Sequence, residues 1–270
     1  MKQKESRRGI IYYLKLWLRI CRLSLSKAHA YKAEAWANVF RSLTVIVPQV
    51  IAIYALYAGK GEFAGWKIEE SFLILGIFNL VNYIGWSSFY VNLERLDRKI
   101  INGEWDFLMM KPISSIFSAS FIDVFIYNLL LAVSGVALII YYLIKSNFVF
   151  TLASVSKFAL VLICGISIWY SLSLMSASFS FRKPFNGIIQ FAKQILNISR
   201  FPLDIWPSIV QVIFYTLIPI GFVSTVPAKV ITGALSWEAV GASIGISFLF
   251  LLLARKVWNV NISKYSSTGS

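Results

Sequence analysis

The amino-acid sequence predicts an all-α integral membrane protein with six transmembrane helices, an N-terminal interfacial amphipathic helix and a short cytosolic helix between spans two and three. Of the 270 residues, 58% are hydrophobic and only 14% are charged, and the mean hydropathy is +0.70. An average soluble domain is about 45–50% apolar, glycine included. Spans of about 20 residues each use most of this length. Residues 1–270 are therefore expected to form a single transmembrane domain, with residues 1–41 as a leader and residues 42–270 as the six-span bundle.

The leader is strongly basic, since ten of the 26 Lys and Arg residues precede residue 42. It is too long for a signal peptide. On a helix, its basic side chains form a stripe beside an apolar face, as in helices that lie along the cytoplasmic membrane surface. The predicted membrane-surface residues are Arg8, Lys15, Trp17, Arg19 and Arg22.

Six apolar runs follow and are interpreted as the six spans. Each reaches the roughly 20 residues that a bilayer requires when its ends are extended into flanking aromatic residues. Prolines in the first and fifth runs can kink those helices, and Pro219, Phe222 and Pro227 form a candidate gate. The runs are approximately Leu43–Ala58, Ser71–Val91, Ala119–Leu143, Val155–Phe179, Pro207–Ser224 and Ala239–Leu253.

The distribution of basic residues predicts the orientation. With both termini in the cytosol, 21 Lys and Arg residues lie on the cytosolic side and five on the other, which is the positive-inside bias. We therefore expect a multi-pass protein of the inner (plasma) membrane with both termini in the cytosol. The segment 181–206, which includes Lys193 and Arg200, is expected to form a second interfacial helix on that side. The segment 225–238 is expected to form short helices at the outer surface.

The cytosolic interval 92–118 is interpreted as a docking surface for a protein. Its acidic and basic residues nearly cancel, whereas a segment that binds anionic lipid carries mostly Lys and Arg. After the turn signal at Asn102-Gly103, apolar residues recur at helical spacing and form one side of a short helix. The alternative, that these side chains pack against the protein's own spans, stays open. The residues are Trp105, Leu108, Met109 and Pro112.

Motifs for catalysis are missing from the sequence. There is no phosphate-binding loop, H-E-x-x-H, C-x-x-C or G-x-S-x-G pattern, and the chain has one His; neither an enzyme nor a metal site is expected. Asp123 is the one ionisable residue well inside a predicted span, which disfavours an ion-coupled carrier. The basic residues that give the net charge of +14 lie before or between apolar runs, so nucleic acid is not an expected partner. Polar span residues such as Asn82 more often bond neighbouring helices than line a path.

The segment Gly103–Pro112, GEWDFLMMKP, resembles the G-x-L-D-x-x-L-x-R-P segment after the second span of bacterial type-two ABC exporter permeases. Trp105 stands in place of its Leu and Lys111 in place of its Arg. Later segments are similar to that group's Tyr-Pro, Ile-Pro-x-x-Phe-x-Ser and Pro-Ala runs and to its C-terminal ending, so the likeness spans most of the chain. These segments are Phe201-Pro202, with Phe for Tyr, Ile218–Ser224, Pro227-Ala228 and Trp258–Ser270.

The resemblance implies a permease subunit that forms half of the translocation pathway of an ATP-driven exporter. The implied partners are a cytosolic ABC ATPase dimer, a second permease, different or identical, and membrane lipids. ATP and Mg would be bound by the ATPase, with no cofactor in this chain. A channel or secondary carrier that acts without an ATPase is the alternative, and a membrane enzyme is a third class.

The resemblance also implies that the loop after the second span carries a coupling helix seated in a cleft of the ATPase. Its implied residues are Trp105, Leu108 and Met109 as apolar contacts, Glu104 and Asp106 as charge partners, Gly103 as the turn and Pro112 as the stop.

Overall fold

The computed structural model describes residues 9–30, 32–185 and 187–265. These ranges are helical almost throughout, and their one sheet is a hairpin of β1 (Glu62–Phe63) and β2 (Trp66–Lys67). The predicted all-α class is confirmed. The helices are α1 Ile10–Ala30, α2 Lys32–Tyr57, α3 Ile68–Gly85, α4 Val91–Glu94, α5 Leu96–Ile101, α6 Glu104–Met110, α7 Ser115–Ser120, α8 Tyr127–Lys145, α9 Leu152–Ser178, α10 Ile188–Asn197, α11 Ser208–Val212, α12 Thr225–Ile231 and α13 Trp237–Ile262.

Four helices in the described ranges are long and apolar enough to cross a membrane. In one of them α3 continues through a π-helical turn, Trp86–Tyr90, into α4 and α5; we call this 34-residue unit the long helix. A shorter apolar helix, Thr44–Tyr57, forms the second half of α2. The four are Ile68–Ile101, Tyr127–Lys145, Leu152–Phe181 and Trp237–Ile262.

The long helix defines two ends of the bundle. It begins directly after the β-hairpin and ends just before α6, so we call these the hairpin end and the α6 end. The described parts of both termini lie at the α6 end: the backbone N–H of Ser114 donates to Tyr13 Oη at 2.9 Å, and Tyr265 Oη donates to Asp106 Oδ1 at 3.0 Å. The first and last described segments of the chain are therefore on the same side of the bundle.

The long helix packs closely against α8 through two glycines. A Cβ added to Gly76 would lie 2.8 Å from the carbonyl oxygen of Gly135, and one added to Gly135 would lie 2.5 Å from the carbonyl oxygen of Gly76. Small residues allow such contact between membrane helices. On a neighbouring face, Asn79 Nδ2 donates to Gln49 Oε1 of α2 at 3.0 Å. These contacts join α2, the long helix and α8 into one layer.

The third predicted span, 119–143, is divided into two helices. α7 ends at Ser120 and α8 begins at Tyr127. Asn92 Nδ2 of the long helix donates to the carbonyl oxygens of Ser120, at 3.0 Å, and Asp123, at 2.7 Å. Irregular backbone leaves carbonyl groups without helical partners, and this amide supplies two of the missing bonds. Asp123, predicted inside a span, lies in the break before α8.

The fifth predicted span, 207–224, is broken into two helical segments at the proline that was expected to kink it. Two apolar helical segments, Ser208–Leu217 and Ile220–Ile231, meet there at an angle of 78°. Proline lacks the N–H that would continue the helix, and Ile218, just before Pro219, has a non-helical φ of −128° and ψ of 79°. This bent pair is either a broken span or a re-entrant hairpin.

The segment 181–206 runs along the bundle, and its assignment as an interfacial helix on the cytosolic side stays a prediction. Lys193 of α10 is hydrogen-bonded to Asn82, midway along the long helix. Further along, Asp204 Oδ2 accepts a bond from Trp66 Nε1, at the hairpin end, at 2.9 Å. The segment therefore travels from the α6 end to the hairpin end. Its basic side chains Lys193 and Arg200 line a cavity.

Candidate functional site

α6 is a seven-residue helix set between two residues that stop regular structure. Gly103, just before it, has a φ of 72°, in the left-handed region that glycine adopts readily. Pro112 follows two residues after the last helical residue, Met110, and proline is common just past a helix end because it cannot continue the helix. A short helix with fixed ends is thus placed at the end of the long helix.

Trp105 faces inward from α6 and is 0% exposed. Its ring centroid lies 5.4 Å from that of Phe181 and 6.2 Å from that of Trp258, and the last two are 5.0 Å apart. We call these three residues the aromatic cluster. The expectation that Trp105 contacts a partner is wrong, and for this residue the open alternative of packing against the protein's own helices is correct. The cluster ties α6 to the ends of α9 and α13.

Asp106 is bonded within the chain through Tyr265. Burial, and then the hydrogen bond to the neighbouring carboxylate, raises the pKa of Tyr265 to about 12. The phenol therefore remains protonated and a hydrogen-bond donor at neutral pH. Asp106, which the resemblance offered as a charge partner for another protein, here holds the C-terminal segment against α6.

The exposed side of α6 carries different apolar residues from those expected. Leu108 and Met109 are half-buried against the core, whereas Phe107 is 67% exposed, Met110 69% and the nearby Ile101 47%. We call Ile101, Phe107 and Met110 the outward face. Helical spacing predicted an amphiphilic helix, but spacing alone did not show which side faces the core. In the sequence, the three-residue spacing of Phe107 and Met110 placed these two side chains on a common face, without showing that this face is exposed.

The predicted membrane-surface residues lie on α1, except Arg8, which is outside the described residues. Lys15, Arg19 and Arg22 are exposed and Trp17 is half-buried. Apolar side chains of α1 are exposed too, namely Ile11, Leu14, Leu18, Leu23 and Leu25.

The candidate gate residues lie at the bend and beyond it. Pro219 is at the bend itself, while Phe222 and Pro227 are buried. A Cβ on Gly165 of α9 would lie 2.5 Å from the carbonyl oxygen of Phe222, so the second arm of the bent pair is pressed against α9. α12, expected at the outer surface, is largely buried in the bundle.

A cavity of about 370 Å³ lies between α2, the long helix and α10. Lys193 Nζ extends to it and is within 5.3, 5.2 and 5.1 Å of the ring centroids of Trp86, Tyr90 and Trp169. Its hydrogen-bond partner is Asn82 Oδ1. The amine is therefore held in an aromatic box with one amide partner.

Arg200 is the second cation in this cavity, with its guanidinium 5.4 Å from the ring of Phe78. Lys193 and Arg200 were expected among the cytosolic basic residues, so the sequence did not predict this site. Their spacing of seven residues, which repeats along one helical face, was the available signal. Asn82 was recognised as a polar span residue, and it both lines the cavity and bonds a neighbouring helix.

Long apolar helices, a short surface helix and a polar cavity among the helices define a multi-pass membrane protein of the transport class. The chain belongs to the ABC-2 transporter family, because the family model described as ABC-2 family transporter protein matches residues 43–269. The resemblance to a type-two ABC permease is confirmed, and the family implies an ABC ATPase as partner. Neither the curated proteins nor the solved structures give a match.

Proposed function

We propose that this chain is one half of the permease of an ATP-driven exporter. A second permease subunit, different or identical, completes the translocation pathway, and a cytosolic ABC ATPase dimer docks on the outward face of α6. ATP and Mg are bound by that ATPase, and this chain is not itself an enzyme. The α6 end faces the cytosol, and the protein lies in the inner (plasma) membrane with both termini inside.

The charges at the two ends support this orientation. At the hairpin end, Lys145 Nζ lies 3.2 Å from Glu69 Oε1 and Lys229 Nζ lies 3.0 Å from Asp204 Oδ2, so these two cations are locally balanced. Most of the remaining basic residues lie at the α6 end or in the leader. An excess of positive charge on one side is typical of the cytosolic side.

The outward face is the observation that carries the proposal. Phe107 and Met110 are about two-thirds exposed on a helix whose opposite side is fixed by the buried Trp105. Exposing apolar side chains to water is unfavourable at roughly 25 cal/mol per Å². A partner with an apolar groove would cover them in the helix-in-groove mode. A rigid short helix would then transmit a movement of the partner to the bundle.

The experiment compares purified complexes that carry different variants of the tagged chain, isolated from native membranes. The double substitution Phe107→Ser and Met110→Ser is expected to reduce the ATPase activity that copurifies with the chain about tenfold or more, because each removes an anchor from the interface. The matched control is Phe150→Ser: Phe150 has the same 67% exposure but lies in the loop after α8 at the hairpin end. Equal copurifying activity in the double variant and the control would overturn the docking assignment.

A second arm separates an exporter from a channel or secondary carrier. The complete complex is reconstituted into proteoliposomes, and ATP is either supplied on the side of the membrane that carries the ATPase or omitted. The transported material is a lipid extract of the native membranes. The proposal requires that movement of its components across the vesicle membrane depend on ATP hydrolysis. Equal flux from this chain alone without ATP would favour the channel.

A further inference from the structure

The cavity between α2, the long helix and α10 has an excess of cationic groups. Three of its lining residues are basic, Arg41, Lys193 and Arg200, and one is acidic, Glu94. Glu94 Oε1 accepts a hydrogen bond from Tyr90 Oη at 3.3 Å. In the part of the chain that the structure describes, the ion pairs within 4.0 Å are at Glu69 and Asp204, and neither of these lines the cavity. The cavity cations therefore lack a close carboxylate partner.

The donors of these cations are only partly satisfied. Arg200 Nε is buried and has no hydrogen-bond partner among the described residues. Lys193 has three N–H donors, and the structure gives it one acceptor, Asn82, with aromatic faces around it. Burying a cation without a partner is costly, and ionisable residues inside the membrane are retained chiefly where they serve function. An anionic group would supply the missing partner.

The remaining walls indicate what carries that anion. Trp86, Tyr83 and Phe78 supply aromatic surface, and Val45 and Leu131 supply aliphatic surface beside the cations. The site is halfway along the long helix, at the depth of acyl chains if this helix spans the bilayer. A free inorganic ion makes no favourable contact with an apolar wall. An amphiphile would place its anionic headgroup on the cations and its apolar part against the aromatic rings.

We propose that this cavity binds the anionic headgroup of a membrane amphiphile, with Lys193 and Arg200 as its counter-ions; as the assignment of a substrate class, this rests on the proposed export function. Arg200 donates to an anionic oxygen of the headgroup through its guanidinium. Lys193 supplies a second charge through its free N–H donors. Asn82 positions the Lys193 amine by accepting its other N–H.

The test uses the purified full-length chain and native mass spectrometry. The probes are phosphatidylglycerol, phosphatidylcholine with the same acyl chains, and inorganic phosphate. Lys193→Met removes the cation and keeps an unbranched side chain. Asn82→Asp keeps a hydrogen-bond acceptor for Lys193 and adds a carboxylate that competes with an anionic ligand. It therefore tests the same site without removing the Lys193 side chain, in case Lys193→Met fails to fold.

Lys157→Met is the matched control. It changes the net charge by the same amount as both test variants, and Lys157 Nζ also lies over an aromatic ring, 4.8 Å from the centroid of Trp237, and donates to a backbone carbonyl, Leu235 O, at 3.1 Å. It does not line the cavity. Because the chain carries a net charge of +14, anionic lipid also binds elsewhere on it, and that background is common to all three variants.

The expected result is that one phosphatidylglycerol binds with an affinity that falls about tenfold in Lys193→Met and in Asn82→Asp and is unchanged in Lys157→Met. Equal affinities for the two lipids, or equal losses in all three variants, would overturn the proposal. Inorganic phosphate that binds as tightly as the lipid would show a site for free anions and would overturn the amphiphile assignment.

The outcome is separable from that of the proposed function. Phe107→Ser and Met110→Ser lie at the α6 end and are expected to leave lipid affinity unchanged. If copurifying ATPase activity fails to depend on the outward face while the lipid result stands, the docking assignment fails alone. If the lipid result fails while the ATPase result stands, only the substrate class is overturned.

Discussion

Tyr265 donates a 3.0 Å hydrogen bond to Asp106, 159 residues earlier in the chain. The Tyr265 ring also lies 5.7 Å from that of Phe181, edge to face, so the C-terminal segment extends the aromatic cluster. α6 is thus held by the chain that precedes it and by residues from the end of α9 and the region after α13. Substitution can test each of these attachments.

Tyr265→Phe is expected to lower the free energy of unfolding by about 1.5 kcal/mol near neutral pH, the lower end of the range for a hydrogen bond to a charged group, because the pair is partly exposed. Because the pKa of Tyr265 is raised to about 12 from the unfolded value of about 10, this contribution is complete below about pH 10. It is lost as the pH rises through about 12. The difference in Tm between wild type and variant, measured by circular dichroism in detergent, should be constant from about pH 7 to 9 and shrink above about pH 10. A difference that grows with pH contradicts the assignment.

Trp105→Ala is expected to destabilise the protein by about 3–5 kcal/mol, because it leaves a cavity beside Phe181 and Trp258. Phe107→Ala is the matched change on the exposed side of the same helix and should stay within about 0.5 kcal/mol. Thermal unfolding of the two purified variants measures both. If Phe107→Ala is as destabilising as Trp105→Ala, the orientation assigned to α6 is incorrect.

Gly135→Ala is expected to force α8 away from the long helix, because the added methyl would lie 2.5 Å from the carbonyl oxygen of Gly76. Overpacking of this kind costs about 1–3 kcal/mol. Gly245→Ala in α13, with nothing within 4 Å of the added Cβ, should be neutral or stabilising by up to about 1 kcal/mol through helix propensity. Midpoints of thermal unfolding should therefore move in opposite directions, and equal shifts would argue against close packing of α3 and α8.

Asp204→Ala is expected to loosen the bent pair at the hairpin end. The carboxylate accepts from Trp66 Nε1 and Lys229 Nζ, and removing it leaves both donors without this acceptor, at a cost of about 2 kcal/mol. Glu69→Gln breaks the more exposed ion pair with Lys145 and should cost less than about 1 kcal/mol. Limited proteolysis after Trp206, followed with the change in Tm, measures the loosening. Equal sensitivity in both variants would remove Asp204 from this role.

Composition and hydrophobic runs were enough to predict the helical class and the positions of the long apolar helices. These signals are local in the sequence, since a run of about 20 apolar residues must be helical to satisfy its backbone hydrogen bonds in a bilayer. The turn at Gly103 and the helix after it followed in the same way from local chemistry. The family resemblance at 103–112 was likewise carried by short segments.

The errors arose where a side chain's environment depends on distant residues. Trp105 and Phe107 are equally plausible outward residues until Phe181 and Trp258 are known to lie beneath one of them. The contact of Lys193 with Asn82 was not predicted, because no local pattern shows that Asn82, more than a hundred residues earlier, lies opposite. The 78° bend was suggested by Pro219, but its direction is set by packing of the following segment against Gly165 of α9.

The aromatic cluster changes how a push on α6 would spread. A helix joined only to its two neighbours in the chain would rotate about those connections and would move those neighbours first. Because Trp105 packs against both Phe181 and Trp258, the same displacement of α6 would reach the ends of α9 and α13 directly. We therefore expect the α6 end of the bundle to move as one rigid unit, so that a small displacement of α6 is passed to the distant helices without amplification.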